Sequence, residues 1–310
     1  NAVLRSYIRI KEELELPDRT EDEISYLSVK YSYAPWIIRL WMAHYPADFV
    51  EDLLEAGNQT PDLVIRPNLL RTTQKDLARR LREKGYQVSY GVVARESLHV
   101  KGEHILTDRL YLDGLFSVQD ESSMVAVTSL DPKPGEHVID VCAAPGGKTI
   151  YIGERMENRG EIIARDIYKK KLELIRKEAE RTGIEIISLR SWDAMRIDSS
   201  LAEKADRVLV DAPCSGLGVV RRKPEIKYSE KDDQILQLPE RQLQILTSSS
   251  TYVKKGGILV YSTCTINPDE NEGVVRAFLN RSPFYMEESI QLYPHINNTD
   301  GFFICRMKHR

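Results

Sequence analysis

The stretch Asp140-Val-Cys-Ala-Ala-Pro-Gly-Gly-Lys-Thr149 closes a short apolar run at 137–141 and leads into Ile150-Tyr-Ile, so it reads as a strand, a glycine turn and a helix start. A glycine pair at that junction lets a ligand approach both the backbone and the helix N-terminus. A phosphate-binding loop would need glycine five residues before Gly147, where Cys142 stands, and the GxGxxG pattern is absent too. What fits is a nucleotide-like ligand without the phosphate requirement. Asp166 ends the next expected strand 19 residues after Gly147, the offset at which a carboxylate reaches a pair of ribose hydroxyls.

Working outward, strands are expected at 137–141, 161–164, 185–189, 207–210 and 258–261, with helices between them, as at 169–181 and 233–252. Five such units predict an α/β fold, an open and mostly parallel Rossmann-like sheet with helices on both faces. Ligands in such sheets bind beyond the carboxyl ends of the strands. Two further motifs fall there: Asp211-Ala-Pro-Cys-Ser-Gly216 after the fourth strand, and Tyr261-Ser-Thr-Cys-Thr265 after the fifth. If strands one, four and five are neighbours, spacings of roughly 5 Å bring their loops together. An acid and two thiols would then meet on one rim, in position for proton handling and covalent work. Either Cys214 or Cys264 could attack. Cys142 lies inside the ligand loop and Cys305 in a terminal apolar strand, and six scattered histidines offer no metal cluster.

Upstream the pattern differs. Residues 1–58 read as helical: Val3, Leu4, Tyr7 and Ile8 show helical spacing, Thr20 with Glu23 forms a capping-box signature, and Pro35 opens another helix. The period then changes to a small α+β unit, 59–113, with strands expected at 62–66, 86–93, 97–100 and 105–106 and a helix at 73–84 stopped by Gly85. The remainder, 114–310, would be the catalytic domain.

The chain has 310 residues and a formal charge of −3, with 29 % charged and 42 % hydrophobic residues, which excludes a disordered or collagen-like chain. No apolar run approaches the roughly 18 residues of a membrane span. Four cysteines without a CxxC pair read as the reduced thiols of a cytoplasmic protein. Residues 61–113 carry 10 basic against 7 acidic groups, so a polyanion site would be a local patch. Its candidates are Arg66, Arg71, Lys75, Arg79, Arg80, Arg82 and Lys84, then Arg221, Arg222, Lys223 and Lys227.

DVCAAPGGKT, DAPCSG and YSTCT, in this order and spacing, resemble the cytosine-C5 RNA methyltransferases of the Sun/Nop2 group, and within it the bacterial enzymes acting on 16S ribosomal RNA. The resemblance extends through FSVQDESS at 116–123, RRKPEIK at 221–227 and GFF at 301–303. NAVLR at 1–5 looks like the last helix of the NusB-like domain of those bacterial enzymes. The resemblance implies a Rossmann-like S-adenosylmethionine-dependent methyltransferase sheet preceded by a helical segment and a small RRM-like unit that binds RNA. It places S-adenosylmethionine against Cys142, Ala143, Ala144, Pro145, Gly146, Gly147 and Lys148. It puts Asp166 on the ribose, Asp193 near the adenine, and Asp211 at the cofactor and beside the target base. It makes Cys264 the nucleophile and Cys214 the group for product release. The implied partner is 16S ribosomal RNA, with no membrane, for a monomeric enzyme. Transfer RNA or another ribosomal cytosine shares the same motifs. A non-catalytic RNA binder would not need two thiols.

Overall fold

The computed structural model describes residues 2–11, 15–229 and 233–310; Asn1 and residues 12–14 of the expected helical tail lie outside the described residues. Four helices come first: α1 (Ala2–Ile10), α2 (Glu23–Tyr31), α3 (Pro35–Met42) and α4 (Ala47–Ala56). In α1 the apolar stripe of Val3, Leu4, Tyr7 and Ile8 faces solvent. The expected capping box is replaced by a different one. Asp22 caps α2, accepting from Ser25 N at 3.0 Å, while the Thr20 hydroxyl turns to Asp18 at 2.7 Å and Glu23 pairs with Arg19 at 2.8 Å. Asp22 stands next to the first turn and its carboxylate is the stronger acceptor, so it takes the cap. Leu27, Ile37, Ile38, Trp41 and Leu54 of these helices share a core with Leu217, Val220 and Ile266, which follow the two cysteine motifs. The helical segment therefore supports the loops that carry the thiols.

The small sheet comprises β1 (Leu63–Pro67), β2 (Gln87–Tyr90), β3 (Leu98–Lys101) and β4 (Phe116–Val118), with α5 (Gln74–Glu83) after β1 and α6 (Arg109–Leu112) before β4. The order is β2-β3-β1-β4, every pairing antiparallel. Thr73 caps α5 by accepting from Asp76 N at 3.2 Å, and Gly85 takes φ +89° to turn the chain into β2. Ile105–Thr107, expected to contribute a strand, is a 3₁₀ turn with Ile105 buried; a two-residue apolar run carries no period to tell the two apart. The fourth strand is instead supplied by 116–118, beyond Asp113.

After α7 (Glu121–Leu130), the large sheet is built from β5 (His137–Asp140), β6 (Glu161–Asp166), β7 (Ile187–Ser191), β8 (Ala205–Asp211), β9 (Val253–Thr263), β10 (Phe284–Leu292) and β11 (Phe302–His309). Its order is β10-β11-β9-β8-β5-β6-β7, with β5 to β9 parallel and β10 and β11 antiparallel. The expected strands one, four and five, now β5, β8 and β9, are adjacent. The connecting helices are α8 (Gly147–Arg155), α9 (Lys169–Thr182), α10 (Asp233–Leu236), α11 (Leu238–Ser250), α12 (Glu272–Leu279) and α13 (Pro294–Asn297). The single helix expected over 233–252 is interrupted at Gln237, because Pro239 sits in the first turn of α11 and cannot donate to a preceding turn.

The helix-free face of the small sheet packs on α7, α8 and α9. Arg66 on β1 is fully buried, donating to Glu154 of α8 at 2.8 Å and to Gln119 at 2.9 Å, with its guanidinium 4.1 Å from the Tyr151 ring centroid. His99 meets Glu121 at 2.6 Å, and Ser117 donates to Glu178 at 2.9 Å. Arg66 is thus no part of a surface patch. Other candidate cations are also occupied. Arg221 pairs with Asp300 at 3.5 Å, Arg222 bridges Asp300 and Asp120 at 2.7 and 2.8 Å, and buried Lys227 donates to Asn58 at 2.5 Å. Arg71 holds the Asp113 and Arg181 carbonyls, Arg79 and Arg80 share Asp76, and Lys84 pairs with Asp108 at 3.0 Å.

Candidate active site

The 142–148 loop leaves the end of β5 through a cis Ala144–Pro145 peptide, and Gly146 adopts φ +114° before α8 begins at Gly147. A Cβ on Gly146 would lie 3.0 Å from Ile175, so both the backbone conformation and the close approach require glycine. Asp166, ending β6, accepts from Ala144 N at 3.3 Å and from Tyr168 N at 2.8 Å, which fastens the neighbouring strand end to the loop. The loop forms one wall of a cleft of about 310 Å³, completed by Val118, Gln119, Asp120, Ser123, Asp140, Asp211, Arg222 and Asp300. Asp166 borders this lining through Ala144. Asp193 lies outside it, past the end of β7, accepting from Met195 N at 3.0 Å.

Asp140 is the buried acid of the cleft. One oxygen accepts from Thr149 Oγ1 at 2.7 Å and the other has no partner among the described residues. Burial, with Asp211 nearby and only partial relief from Thr149 and Lys148, raises its pKa to about 7. A carboxyl group raised in the folded state stabilises fully below its unfolded value near 4 and loses that contribution as pH rises through the folded value near 7. Stability of the ligand-free protein is therefore expected to fall over this window, and Asp140→Asn to flatten the fall. Urea titrations at stepped pH measure it, and an identical slope in the variant would show Asp140 to be charged throughout.

On the adjacent strand ends, Asp211 of β8 lies in register with Ser262 of β9 and accepts from its hydroxyl at 2.8 Å. Its other oxygen accepts from Lys148 Nζ at 2.8 Å, so the lysine of the loop and the acid of the second motif form one ion pair. Cys214 and Cys264 are both reduced, with their sulfurs 3.2 Å apart. Cys264 is shifted below an ordinary thiol, first by its hydrogen bond with Cys214, with Lys148 and Lys223 contributing against burial and Asp211. The same hydrogen bond, together with burial, pushes Cys214 well up. Of the two, Cys264 is the more readily ionised. At mildly alkaline pH, iodoacetamide is expected to alkylate Cys264 ahead of Cys214, which peptide mass spectrometry reads directly. The reverse order would make Cys214 the more readily ionised thiol.

The loops are held by groups the sequence did not single out. Buried Glu270 accepts from Ser215 N at 2.9 Å, Ser215 Oγ at 2.5 Å, Gln242 Nε2 at 2.9 Å and Asn267 Nδ2 at 3.1 Å. Gly218 N donates to the Cys264 carbonyl at 3.0 Å, and Gly301 N donates to the Gly218 carbonyl at 2.8 Å. A Cβ on Gly218 would fall 1.9 Å from the Gly301 oxygen, so the three chain segments close on one another only through glycine. Nothing in the sequence distinguishes Glu270 from an ordinary acid near a helix start.

A family model described as 16S rRNA methyltransferase RsmB/F matches residues 127–308, and a ferredoxin-like domain model of RsmF/B-like methyltransferases matches 33–106. The chain belongs to the RsmB/F family of methyltransferases. It is 37 % identical to the probable ribosomal RNA small subunit methyltransferase B of Bacillus subtilis (strain 168), over the whole of this chain and 73 % of that protein. It is 32 % identical to ribosomal RNA small subunit methyltransferase B of Serratia proteamaculans (strain 568), over 99 % of this chain and 72 % of that one. Among solved structures, a methyltransferase homolog protein from Pyrococcus horikoshii superposes with a TM-score of 0.83 at 29 % identity, covering 93 % of this chain and 99 % of that chain. The antiparallel β2-β3-β1-β4 sheet is the ferredoxin-like part.

S-adenosylmethionine is the cofactor of this family. The residues present fit it. The cleft has the size of a small-ligand site, its glycine wall leaves room for a backbone-hugging ligand, and one oxygen of Asp140 is buried without a hydrogen-bond partner among the described residues. Carboxylates at 140, 166 and 211 suit a ligand with a cationic sulfonium, an amino group and ribose hydroxyls. No helix among the described residues is long and apolar enough to cross a membrane.

Proposed function

We propose that this RNA methyltransferase modifies carbon 5 of a cytosine in 16S ribosomal RNA through a covalent cysteine–cytosine adduct. The observation that carries the reading is the thiol pair: two reduced sulfurs at 3.2 Å, one more readily ionised than the other, near Asp211 and its Lys148 partner. Cytosine carbon 5 is too electron-poor to take a methyl group unaided. Attack of the Cys264 thiolate on carbon 6 forms a sulfur–carbon bond and leaves carbon 5 enamine-like. S-adenosylmethionine supplies the electrophilic methyl group. Asp211, steadied by Lys148 and Ser262, accepts from the exocyclic amino group and fixes the ring. The carbon 5 proton then passes to a base, solvent or the Cys214 sulfur. The electron pair it leaves re-forms the 5,6 double bond as the Cys264–carbon bond breaks and the Cys264 thiolate departs, with Cys214 assisting this elimination. The base must be splayed from its stack to enter.

The division of labour follows from the same reading. The large-sheet domain catalyses, the small sheet, which includes β4 at 116–118, contacts RNA, and α2 to α4 hold the thiol loops from behind. The 142–148 loop, Asp166 and Asp211 hold the cofactor, and Asp193 approaches its adenine. Acting on ribosomal RNA in a bacterium would place the enzyme in the cytoplasm. Asp166→Ala is expected to weaken S-adenosylmethionine binding by about 1–3 kcal/mol, the scale of lost hydrogen bonds to a charged group. Calorimetry on the folded variant checks it, and unchanged affinity would remove Asp166 from the site. The function itself is tested by bisulfite mapping of unmodified 16S RNA after incubation with enzyme and cofactor. One newly protected cytosine supports it; methylated RNA with no protected cytosine overturns it.

A further inference from the structure

We propose that the outer edge of β2 and the loop after it form a landing platform for the single-stranded RNA flanking the target base. This rests on the RNA methyl-transfer reading above and extends it to a surface. A ferredoxin-like sheet has one helix-free face on which bases could stack, and here that face is closed by Arg66–Glu154, His99–Glu121 and Ser117–Glu178. What remains open is the edge strand. Tyr90 is 46 % exposed at its end and Val92 is 93 % exposed just beyond. The Arg82 guanidinium lies 5.6 Å over the Tyr90 ring and donates to the Val88 carbonyl at 2.9 Å, so a cationic plane and an aromatic plane are held together at the rim.

The loop is fastened at two points. Gln74 donates to the carbonyls of Arg95 and Ser97 at 2.7 and 2.9 Å, drawing Arg95 toward the start of α5 where Lys75 stands. Val93 N and Ala94 N donate to Glu121 Oε2 at 2.7 and 2.6 Å. Glu121 adjoins Asp120, a wall of the cleft, so Val92 is one residue from a segment tied to the active-site entrance. Among the described residues no carboxylate pairs with Lys75, Arg82 or Arg95, whereas Arg79 beside them is taken by Asp76 and Glu83. Cations spaced around exposed aromatic and apolar groups match unpaired nucleotides: phosphates to the charges, base faces to Tyr90 and Arg82. A duplex would offer the charges but no free base faces.

The test uses the whole chain and a fluorescent 14-nucleotide RNA of mixed sequence, single-stranded and as its duplex. Tyr90→Ala is expected to weaken single-strand binding about tenfold, with little change for the duplex, and Tyr90→Phe to keep wild-type affinity. Arg82→Ala with Arg95→Ala should flatten the logarithmic salt dependence by about one to two units. S-adenosylmethionine affinity should be unchanged in all three. Wild-type affinity and salt slope in both alanine variants would overturn the platform. If wild type transfers no methyl group to 16S RNA while these affinities still shift, the reaction assignment falls and the platform stands. If methyl transfer proceeds and the affinities do not move, the platform alone falls.

Discussion

Cys264→Ala is expected to abolish methyl transfer and to form no covalent complex with RNA, whereas Cys214→Ala should attack, methylate once and then stall. The asymmetry follows from the hydrogen bond between the two sulfurs. It shifts Cys264 below an ordinary thiol, which suits it to the proposed attack on carbon 6. The same bond, with burial, pushes Cys214 up, so it is poorly suited to that first step and is assigned to the later elimination. In the Cys214 variant the adduct should accumulate as a protein–RNA species that survives denaturing electrophoresis, with turnover limited to one methyl group per enzyme. Both variants should retain cofactor binding, because neither thiol lines the 142–148 cleft. A stable adduct in Cys264→Ala would reverse the roles.

The second large effect is on stability. Arg66→Ala should cost about 3–5 kcal/mol, because Glu154, whose pKa burial already raises to about 7, must take up a proton or stay charged and unpaired in a site with no solvent, and because the donor to Gln119 is removed. Both side chains of the pair are fully buried, so the loss is scarcely relieved by water. The double substitution Arg66→Met with Glu154→Leu should recover most of it, since neither charge then remains to be compensated. Gln119 belongs to the cleft, so Arg66→Ala should also loosen that wall and weaken cofactor binding. Urea denaturation of the three proteins at one pH checks the ranking. A single variant within 1 kcal/mol of wild type would mean that the sheet separates from α8 without penalty.

Much of the catalytic half could be read from sequence because its information is local. The 140–149 stretch contains strand end, turn and helix start in ten residues, and each thiol follows a strand by a few positions. The five parallel strands stand where alternating apolar runs and helices put them. What could not be read depends on contacts between distant residues. Lys148 and Asp211 are 63 positions apart, and their 2.8 Å pairing depends on β5 and β8 being neighbours. Arg66 looked like a surface cation because its partner lies 88 residues away on another element. The antiparallel β10 carries an exposed run at 285–289, so the inside–outside alternation that marks a half-buried strand is missing. Which thiol ionises more readily depends on the contact between the two sulfurs and on Lys148 and Lys223 nearby, and residue types carry no record of that.

Methylation at carbon 5 must expel the proton of that atom, and the proton reports on the site of reaction directly. Transcribed 16S RNA labelled with tritium at cytosine carbon 5, incubated with enzyme and carbon-14 methyl-labelled S-adenosylmethionine, gives tritium release and methyl incorporation from one sample. One tritium is expected in water for each methyl group transferred, with both lost in Cys264→Ala. Methyl groups entering the RNA without tritium release would place the reaction at another atom and overturn modification at carbon 5.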